Sequence, residues 1–201
     1  MIRTLFFDIG NVILNIYPED VVYQLTRTIG VETSVMVSAL SGEVHDDYEK
    51  GELTDEQFVS SIMAHISSEK KLTQTEFFDY WRSMLGDVTE TFHYAQKLSE
   101  IIPVWLASNT NQHHINLGGV RTKMDGFAGA VYSFEVGARK PDERFFNAML
   151  RAAATNVSES LFVDDRMVNV AIAEKMGMTV IHYRSHGQFV KDFESLKLEI
   201  S

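Results

Sequence analysis

The amino-acid sequence predicts an α/β fold in which a parallel β-sheet is covered by helices on both faces and a helical segment is inserted early in the chain. Three observations support this prediction. Short apolar runs recur along the chain, amphipathic helical patterns lie between most of them, and one early stretch has helical patterns without strands. Strands that alternate with helices are typical of parallel sheets, whose strands are buried on both faces.

The apolar runs have the length and composition of buried strands. The predicted strands are Thr4–Phe7, Val104–Ala107, Ala130–Phe134, Ser160–Val163 and Thr179–His182.

Three segments between these runs carry apolar side chains at helical spacing, namely Thr89–Ile101, Asp142–Ala154 and Met167–Met176. Pro141 is expected in the first turn of the second helix, and Gly177 is expected to end the third in a left-handed conformation. Apolar residues between positions 190 and 196 indicate a final helix.

The stretch from residue 18 to residue 86 contains helical patterns and no convincing strand. Phe58, Ile62 and Ile66 have helical spacing, and Thr54–Gln57 is typical of a capping box that opens their helix. We therefore predict a core domain formed by residues 1–16 and 87–201 and a helical cap domain formed by residues 17–86. The alternative is that these helices simply cover the sheet.

Composition excludes several classes of function. The chain has 201 residues, 45% of them hydrophobic and 23% charged, and a net charge of −10. The negative charge disfavours nucleic acid and anionic membranes as partners. We expect no membrane span, because no apolar run approaches roughly 18 residues. We expect no signal peptide, because the short apolar stretch Leu5–Phe7 is followed at once by the acidic Asp8. The chain contains no cysteine, which excludes disulfides and cysteine nucleophiles, and the cytoplasm is the simplest expected location.

Polar residues follow several of the predicted strands. Asp8 ends the first run, Ser108 ends the second, and Asp164 and Asp165 end the fourth. Ligands of open parallel sheets bind beyond the carboxyl ends of the strands, so these side chains are expected to converge. A nucleophile, a cation and donors for phosphate oxygens are what phosphoryl transfer requires.

Four short motifs make the prediction specific. They are Phe7–Val12, Ser108–Thr110, Lys140-Pro141, and Phe162–Asp165 with Asn169. In order and approximate spacing they resemble the motifs of the haloacid dehalogenase-like (HAD) superfamily over nearly the whole chain. The insert resembles a C1-type cap, and Glu49–Thr54 is similar to the branch that contains α-D-glucose-1-phosphate phosphatase. The resemblance implies a Rossmann-like parallel sheet with an inserted helical cap.

The resemblance and the chemistry of the strand ends together predict a magnesium-dependent centre. Asp8 is expected to attack phosphorus and form an aspartyl phosphate, which splits hydrolysis into two easier steps. Asp165 would bind Mg²⁺ beside Asp8, because adjacent carboxylates repel each other unless a cation compensates them. The resemblance implies that the Gly10 carbonyl is a further ligand. Asn169 is expected to hold a metal-bound water, and strict strand alternation would turn Asp164 to the opposite side, in a supporting role.

The second and third motifs are expected to hold phosphate. Ser108 would donate its hydroxyl and Asn109 its backbone N–H, and Lys140 would supply the positive charge that this acidic chain otherwise lacks. The turn at Gly10 and Asn11 permits positive φ angles, and its backbone N–H groups would also cradle phosphate oxygens.

Position 10 departs from many phosphatases of the superfamily, which carry a second Asp there to protonate the leaving group and activate water. Either the leaving group needs little protonation, as with an anomeric phosphate, or another group replaces the acid. General acid catalysis contributes about 10²–10⁴-fold in rate. His114 is a candidate for substrate contact or proton transfer, the alternative being that His113 and His114 are simply exposed on a helix. His45 in the cap is a second candidate for contact with the leaving group.

The predicted function is hydrolysis of a small phosphorylated metabolite, with a sugar phosphate as one candidate. A phosphotransferase or a dehalogenase is less favoured. The alternative of a different class is a non-catalytic binding or regulatory protein, which Gly10 supports. The sequence leaves a homodimer open.

Overall fold

The computed structural model describes residues 1–197 and contains two β-sheets. In chain order the strands are β1 (Thr4–Phe7), β2 (Leu14–Ile16), β3 (Leu85–Val88), β4 (Val104–Ser108), β5 (Gly129–Tyr132), β6 (Ser160–Asp164) and β7 (Thr179–His182). The larger sheet is parallel and has the order β5-β4-β1-β6-β7, while β2 and β3 form an antiparallel pair. The parallel sheet confirms the predicted fold class. Residues 198–201 of the predicted core domain lie outside the described part of the chain.

The strands of the larger sheet match the predicted ones apart from their ends. β1 and β7 have the predicted bounds, and β4 and β6 each extend by one residue, to Ser108 and Asp164. The prediction for β5 was wrong at its C-terminal end, because Ser133 already begins a short helix there. The side chain of Ser133 bonds to both the backbone N–H and the carbonyl of Thr110, which fixes this early turn.

The helices lie between and beside these strands. They are α1 (Pro18–Ile29), α2 (Thr33–Ala39), α3 (Glu43–Glu49), α4 (Asp55–Ile66), α5 (Gln74–Trp81), α6 (Glu90–Ser99), α7 (Val120–Lys123), α8 (Ser133–Val136), α9 (Glu143–Ala152), α10 (Met167–Met176) and α11 (His186–Ser195). Within residues 1–197, no helix combines the length and apolarity needed to cross a bilayer.

Local signals for helix ends were mostly correct. Thr54 and Gln57 form the predicted capping box of α4, and Gly177 ends α10 at φ 101°. The helix predicted near the C-terminus is present as α11. The position predicted for Pro141 was wrong, because α9 begins only after Asp142, whose side chain caps the helix by accepting from the Arg144 N–H.

The two faces of the larger sheet bury separate apolar clusters. Phe7 packs with α6 and α11 on one face, where its ring lies 5.5 Å from that of Phe189. Phe6, the preceding residue of β1, packs on the other face with Phe146 of α9 and Phe162 of β6. Because successive side chains of a strand point to opposite faces, this pair shows how helices on both sides are held to the central strand.

Helices α1–α5 share an apolar cluster of their own, drawn from residues 21 to 81. Phe58 stacks on Tyr48 with centroids 4.1 Å apart and makes T-shaped contacts with Phe77 and Trp81. The expectation that residues 18–86 contain no strand was wrong at the end of that stretch, because β3 begins at Leu85. Its sequence, LGDV, contains a glycine and an acid and gave no strand signal. The domain boundaries stay a prediction.

Candidate active site

The carboxyl ends of β1, β4 and β6 open into a cavity of about 550 Å³. Helices α1, α2, α3 and α5 form much of its opposite wall. The sequence-predicted residues that line it are Asp8, Gly10, Asn11, His45, Ser108, Asn109, His114, Lys140, Asp165 and Asn169. Residues separated by up to 161 positions in sequence, from Asp8 to Asn169, therefore meet at one edge of the sheet.

Lys140 lies at the centre of this group. Its ammonium is 2.9 Å from Asp8 Oδ1, 2.7 Å from Asp164 Oδ2 and 2.7 Å from the carbonyl of Ala107. These three acceptors match the three donors of an ammonium. Burial lowers the pKa of Lys140, but the two carboxylates outweigh burial and the net pKa lies above its ordinary value. The side chain is therefore charged and held in place.

Asn109 fixes the backbone of Lys140. Its side-chain amide donates to the Lys140 carbonyl at 2.9 Å, and its Oδ1 accepts from the Lys140 N–H at 2.7 Å. This two-bond clasp joins the second motif to the third. Phosphate binding by the Asn109 backbone N–H and by the buried Ser108 hydroxyl stays a prediction.

Asp8, Asp164 and Asp165 each place one oxygen within 4.8 Å of the others. Burial raises the pKa of Asp8 to about 7, an effect that Lys140 opposes and Asp164 reinforces. Burial, followed by the charge of Asp164, also raises the pKa of Asp165. One ammonium therefore does not fully compensate three carboxylates. The cluster has the charge and the hard oxygen donors that suit a divalent cation.

The direction predicted for Asp164 was wrong. Val163 is paired with Phe7 in the sheet, so Asp164 lies beside Asp8 and points to the same face. Paired residues of parallel strands point to the same face of the sheet. The prediction had considered only the alternation between Asp164 and Asp165 and not the pairing of their strand with β1. Asp164 is fully buried and binds Lys140 directly.

Asn169 lies beside this cluster, and its side-chain oxygen has no hydrogen-bond partner among residues 1–197. Its side-chain amide donates to both carboxylate oxygens of Asp164, at 3.0 and 3.1 Å, which identifies the nitrogen end. Its Oδ1 is buried and has no hydrogen-bond partner among residues 1–197. A buried amide oxygen without a donor is costly. This oxygen fits a site that receives a hydrated cation, as the sequence predicts.

Asp8 itself presents two different oxygens. Oδ1 accepts from the Ile9 N–H at 2.8 Å and from Lys140. Oδ2 makes no hydrogen bond within the described structure. Oδ1 is thus held by two donors, and Oδ2 is the oxygen open to an electropositive partner.

A family model described as haloacid dehalogenase-like hydrolase matches residues 2–177, which is most of the chain. The chain belongs to the haloacid dehalogenase-like hydrolase family. The resemblance inferred from the four motifs is thereby confirmed.

Two relatives with low sequence identity to this chain are consistent with its membership of the family. It is 26% identical to D-ribitol-5-phosphate phosphatase of Bacteroides thetaiotaomicron over 188 residues, covering 88% of this chain and 89% of the relative. It is 25% identical to drimenol cyclase drtB of Aspergillus calidoustus over 200 residues, covering 98% of this chain. The match spans only 37% of that longer relative.

The fold is also that of solved members of the family. A HAD family enzyme from Bacteroides thetaiotaomicron, in complex with magnesium and inorganic phosphate, superposes with a TM-score of 0.80 at 23% identity. The superposition covers 92% of this chain and 96% of that enzyme. At this identity the likeness shows the common fold.

In the turn after β1, formed by Gly10 and Asn11, only one of the two residues has a positive φ. Asn11 has φ 57°, whereas Gly10 is not among the residues with positive φ, so that expectation was correct for Asn11 and wrong for Gly10. A Cβ at position 10 would lie 3.1 Å from Ile16 Cδ1. The space that an acidic side chain would need is thus bordered by an apolar one. The Asn11 amide points toward Asp165 at 3.5 Å.

His114 and its neighbour are buried, so the expectation that they are exposed helix residues was wrong. His114 Nδ1 lies 3.2 Å from the Asn111 amide nitrogen, and its Nε2 lies 3.3 Å from the Trp81 carbonyl. Burial lowers the pKa of His114 to about 3, so the ring is neutral at pH 7. In that form Nδ1 accepts from Asn111 and Nε2 donates to Trp81. Both nitrogens are occupied, which argues against proton transfer.

His45 differs from His114 in this respect. Its Nδ1 is 4.0 Å from Asp46 and its Nε2 is 3.8 Å from Glu49, both beyond hydrogen-bond distance. Within residues 1–197, neither ring nitrogen of His45 makes a hydrogen bond. Of the two histidines that line the cavity, His45 is the one with nitrogens available to a ligand.

Sequence reasoning missed Arg139. Its guanidinium forms ion pairs with Asp46 and with Glu49, the latter at 2.7 Å, and so connects the loop before Lys140 to α3. The available signal was its position directly before the motif lysine. Asn111, which orients His114, was visible only as the residue directly after the Ser108–Thr110 motif.

Proposed function

We propose that this chain is a magnesium-dependent phosphatase that hydrolyses a small phosphorylated metabolite through an aspartyl phosphate on Asp8. The observation that carries the proposal is the buried contact of Lys140 with Asp8 and Asp164, at the mouth of a cavity of metabolite size. The similarity of the chain to a D-ribitol-5-phosphate phosphatase, and to a HAD family enzyme solved with magnesium and inorganic phosphate, supports this chemistry.

The metal would be held by Asp8, Asp165 and the Gly10 carbonyl, with Asp164 and Asn169 beside them. The proximity of three carboxylates and the unpartnered Oδ1 of Asn169 favour such a ligand set. Bound Mg²⁺ would neutralise the carboxylates and withdraw charge from the phosphate oxygens.

In the first step, Asp8 Oδ2 would form a bond to phosphorus while the bond from phosphorus to the ester oxygen breaks. Lys140 would hold Asp8 through Oδ1 and offset the repulsion between carboxylate and phosphate. Ser108 and the backbone N–H of Asn109 would bind the phosphate oxygens. The Asn11 N–H, also expected to do so, instead donates to the Leu14 carbonyl at 2.7 Å. In the second step, water would add to phosphorus and the bond to Asp8 would break, releasing inorganic phosphate and restoring the carboxylate.

The leaving oxygen must gain a proton, and Gly10 cannot supply it. His45 is the candidate that the free ring nitrogens favour, because His114 is occupied on both sides. Asp46 and Glu49 lie within 4.0 Å of the His45 ring, so this proton donor would stand beside two carboxylates.

We propose that residues 17–86 act as the cap predicted from the sequence, closing one side of the cavity and setting specificity. The ion pairs of Arg139 with α3 would hold this cap to the loop that carries Lys140. A cytoplasmic location, a homodimer, and the absence of nucleic-acid and membrane partners stay predictions.

Two substrate classes deserve comparison. A sugar or polyol phosphate is favoured by the sequence resemblance and by the relative that acts on D-ribitol 5-phosphate. The cavity itself favours a less polar substrate, because incompletely buried apolar side chains border it. A dehalogenase is disfavoured, because the carboxylate cluster suits a cation that such chemistry does not need.

The test is hydrolysis of an aryl phosphate, whose good leaving group makes the missing acid unimportant. We expect turnover that requires Mg²⁺ and is lost in Asp8→Asn. Absence of turnover in a folded protein that still binds Mg²⁺ would favour the alternative of a non-catalytic binding protein. Phosphate transfer to an added alcohol in preference to water would favour a phosphotransferase.

A further inference from the structure

Beyond the carboxylate cluster, the cavity is bordered by apolar side chains that are incompletely buried. They come from β2, α1, α2, the turn after α5, and β3. We call them the apolar wall: Ile16, Val22, Val37, Leu40, Met84 and Leu85.

The exposure of this wall needs an explanation. Val37 is 48% exposed although it lines the cavity, and the other five side chains are half-buried. Apolar surface that faces a cavity remains in contact with water until a ligand covers it, and such surfaces commonly mark binding sites. Below the wall, the fully buried Val21, Ile115 and Val120 also contribute to the lining.

The polar side chains in the same part of the cavity are largely paired with protein groups. Asn111 is bonded to His114, and the Ser41 hydroxyl donates to the Val37 carbonyl at 2.7 Å. Arg139 forms ion pairs with the carboxylates of α3. His45 and the indole N–H of Trp81, which has no hydrogen-bond partner among residues 1–197, are exceptions. An imidazole and one N–H donor suit one or two polar contacts rather than a series of hydroxyl contacts.

A polyol would therefore meet few free partners here. A hydroxyl buried without a hydrogen bond costs free energy, whereas a methylene group buried against the wall gains about 0.8 kcal/mol. The polar end of the cavity, with Lys140 and the carboxylate cluster, is suited to phosphate and its cation. The chemistry of the two ends thus differs sharply.

We infer that the substrate is a phosphate monoester of an apolar alcohol, whose hydrocarbon group lies against the apolar wall. This inference rests on the proposed function and specifies its substrate class. Specificity would come from the length and bulk of the hydrocarbon, with phosphate as the common anchor.

Binding to the inactive Asp8→Asn variant tests the inference separately from catalysis. We would measure dissociation constants of n-butyl, n-hexyl and n-decyl phosphate and of ribitol 5-phosphate by calorimetry with Mg²⁺, at concentrations below micelle formation. Full burial predicts up to roughly fourfold tighter binding per added methylene, the equivalent of about 0.8 kcal/mol. The alkyl phosphates should be displaced by inorganic phosphate and should bind at least tenfold more tightly than ribitol 5-phosphate.

A wall variant and a matched control locate the effect. Val37→Asn, made in the Asp8→Asn background, should weaken decyl phosphate several-fold and leave butyl phosphate nearly unchanged. Ile101→Asn replaces an apolar residue that is 60% exposed and lies outside the cavity lining, so it should alter neither affinity.

The inference is overturned if affinity is independent of chain length, if ribitol 5-phosphate binds as tightly as decyl phosphate, or if Val37→Asn behaves like Ile101→Asn. Any of these results, combined with Mg²⁺-dependent turnover of an aryl phosphate by the unmodified chain, leaves the proposed function intact. Loss of that turnover with a steep chain-length dependence would instead contradict the catalytic proposal and support an apolar phosphate-binding site.

Discussion

The ammonium of Lys140 and the carboxylate of Asp8 form an ion pair of 2.9 Å in which the lysine side chain is only 1% exposed. The same ammonium binds Asp164, whose side chain is fully buried. Three motifs that are distant in sequence are therefore joined through one charge. We therefore expect both the proposed catalysis and the stability of the fold to depend on Lys140.

Replacing Lys140 with Met should remove activity and destabilise the metal-free protein together. Loss of one partner from a buried ion pair typically costs about 3–5 kcal/mol, because the remaining charge is left unpaired. Denaturant unfolding at pH 8 measures this loss. Lys175→Met is the matched control, since the exposed Lys175 lies 3.9 Å from Glu143 and should matter by less than about 1 kcal/mol. Equal effects of the two substitutions would contradict the role given to Lys140.

Stabilisation by Mg²⁺ should increase with pH. Burial, against the opposing charge of Lys140, raises the pKa of Asp8 from 3.8 to about 7. A raised folded-state pKa means that the protonated carboxyl stabilises the metal-free fold below about pH 4 and that this contribution is lost as pH rises through 7. In the proposed function Mg²⁺ would bind the ionised cluster, so it should raise the melting temperature more at pH 8 than at pH 5.

Asp8→Asn serves as the control for this pH dependence. It removes one carboxylate from the cluster, so the metal-free variant should lose less stability between pH 5 and pH 8. Mg²⁺ should still stabilise it, but less than it stabilises the unmodified chain. A magnesium effect of the same size at both pH values in the unmodified chain would argue against a cation among these carboxylates.

Restoring an acid at position 10 should accelerate hydrolysis of alkyl phosphates more than of aryl phosphates, by roughly ten- to a hundredfold, because only the alkoxide needs a proton. The φ angle of Gly10 does not demand glycine, but its Cβ would lie 3.1 Å from Ile16 Cδ1. Gly10→Asp should therefore be compared with Gly10→Asp/Ile16→Val, which provides room. Equal acceleration of both ester classes would show that the new carboxylate acts in another way.

His45→Asn should have the opposite selectivity. If His45 protonates the leaving oxygen, the variant should lose at least tenfold in kcat on alkyl phosphates and little on aryl phosphates. His93→Asn, on the exposed face of α6, is the control. A uniform loss on both ester classes would indicate a structural role for His45 instead.

Much of the fold could be predicted because strands and helices leave periodic signals. The strands of the larger sheet and the capping box at Thr54 were each evident from a few residues. β3 was not, because LGDV has neither alternation nor β-branched content beyond Val88. Pairing with β2 stabilises it, and pairing between residues 69 and 74 positions apart leaves no local trace.

The sequence predicted which residues form the candidate site better than it predicted how their side chains are oriented. Strand ends and motif order brought Asp8, Ser108, Lys140 and Asp165 together correctly. The direction of Asp164 depended on the register between β1 and β6, which no single segment specifies. The burial of His114 depended on α5, whose Trp81 carbonyl accepts from its ring. Such contacts between distant elements are decided by tertiary packing.

The most direct test of the account is to find the phosphoryl group on the protein. The chain would be mixed with a radiolabelled phosphate monoester and Mg²⁺, quenched in acid within a turnover, and digested for mass spectrometry. The account predicts an acid-stable label on the peptide that contains Asp8, absent from Asp8→Asn and from magnesium-free samples. Efficient Mg²⁺-dependent hydrolysis without label at Asp8, or with label on another residue, would contradict it.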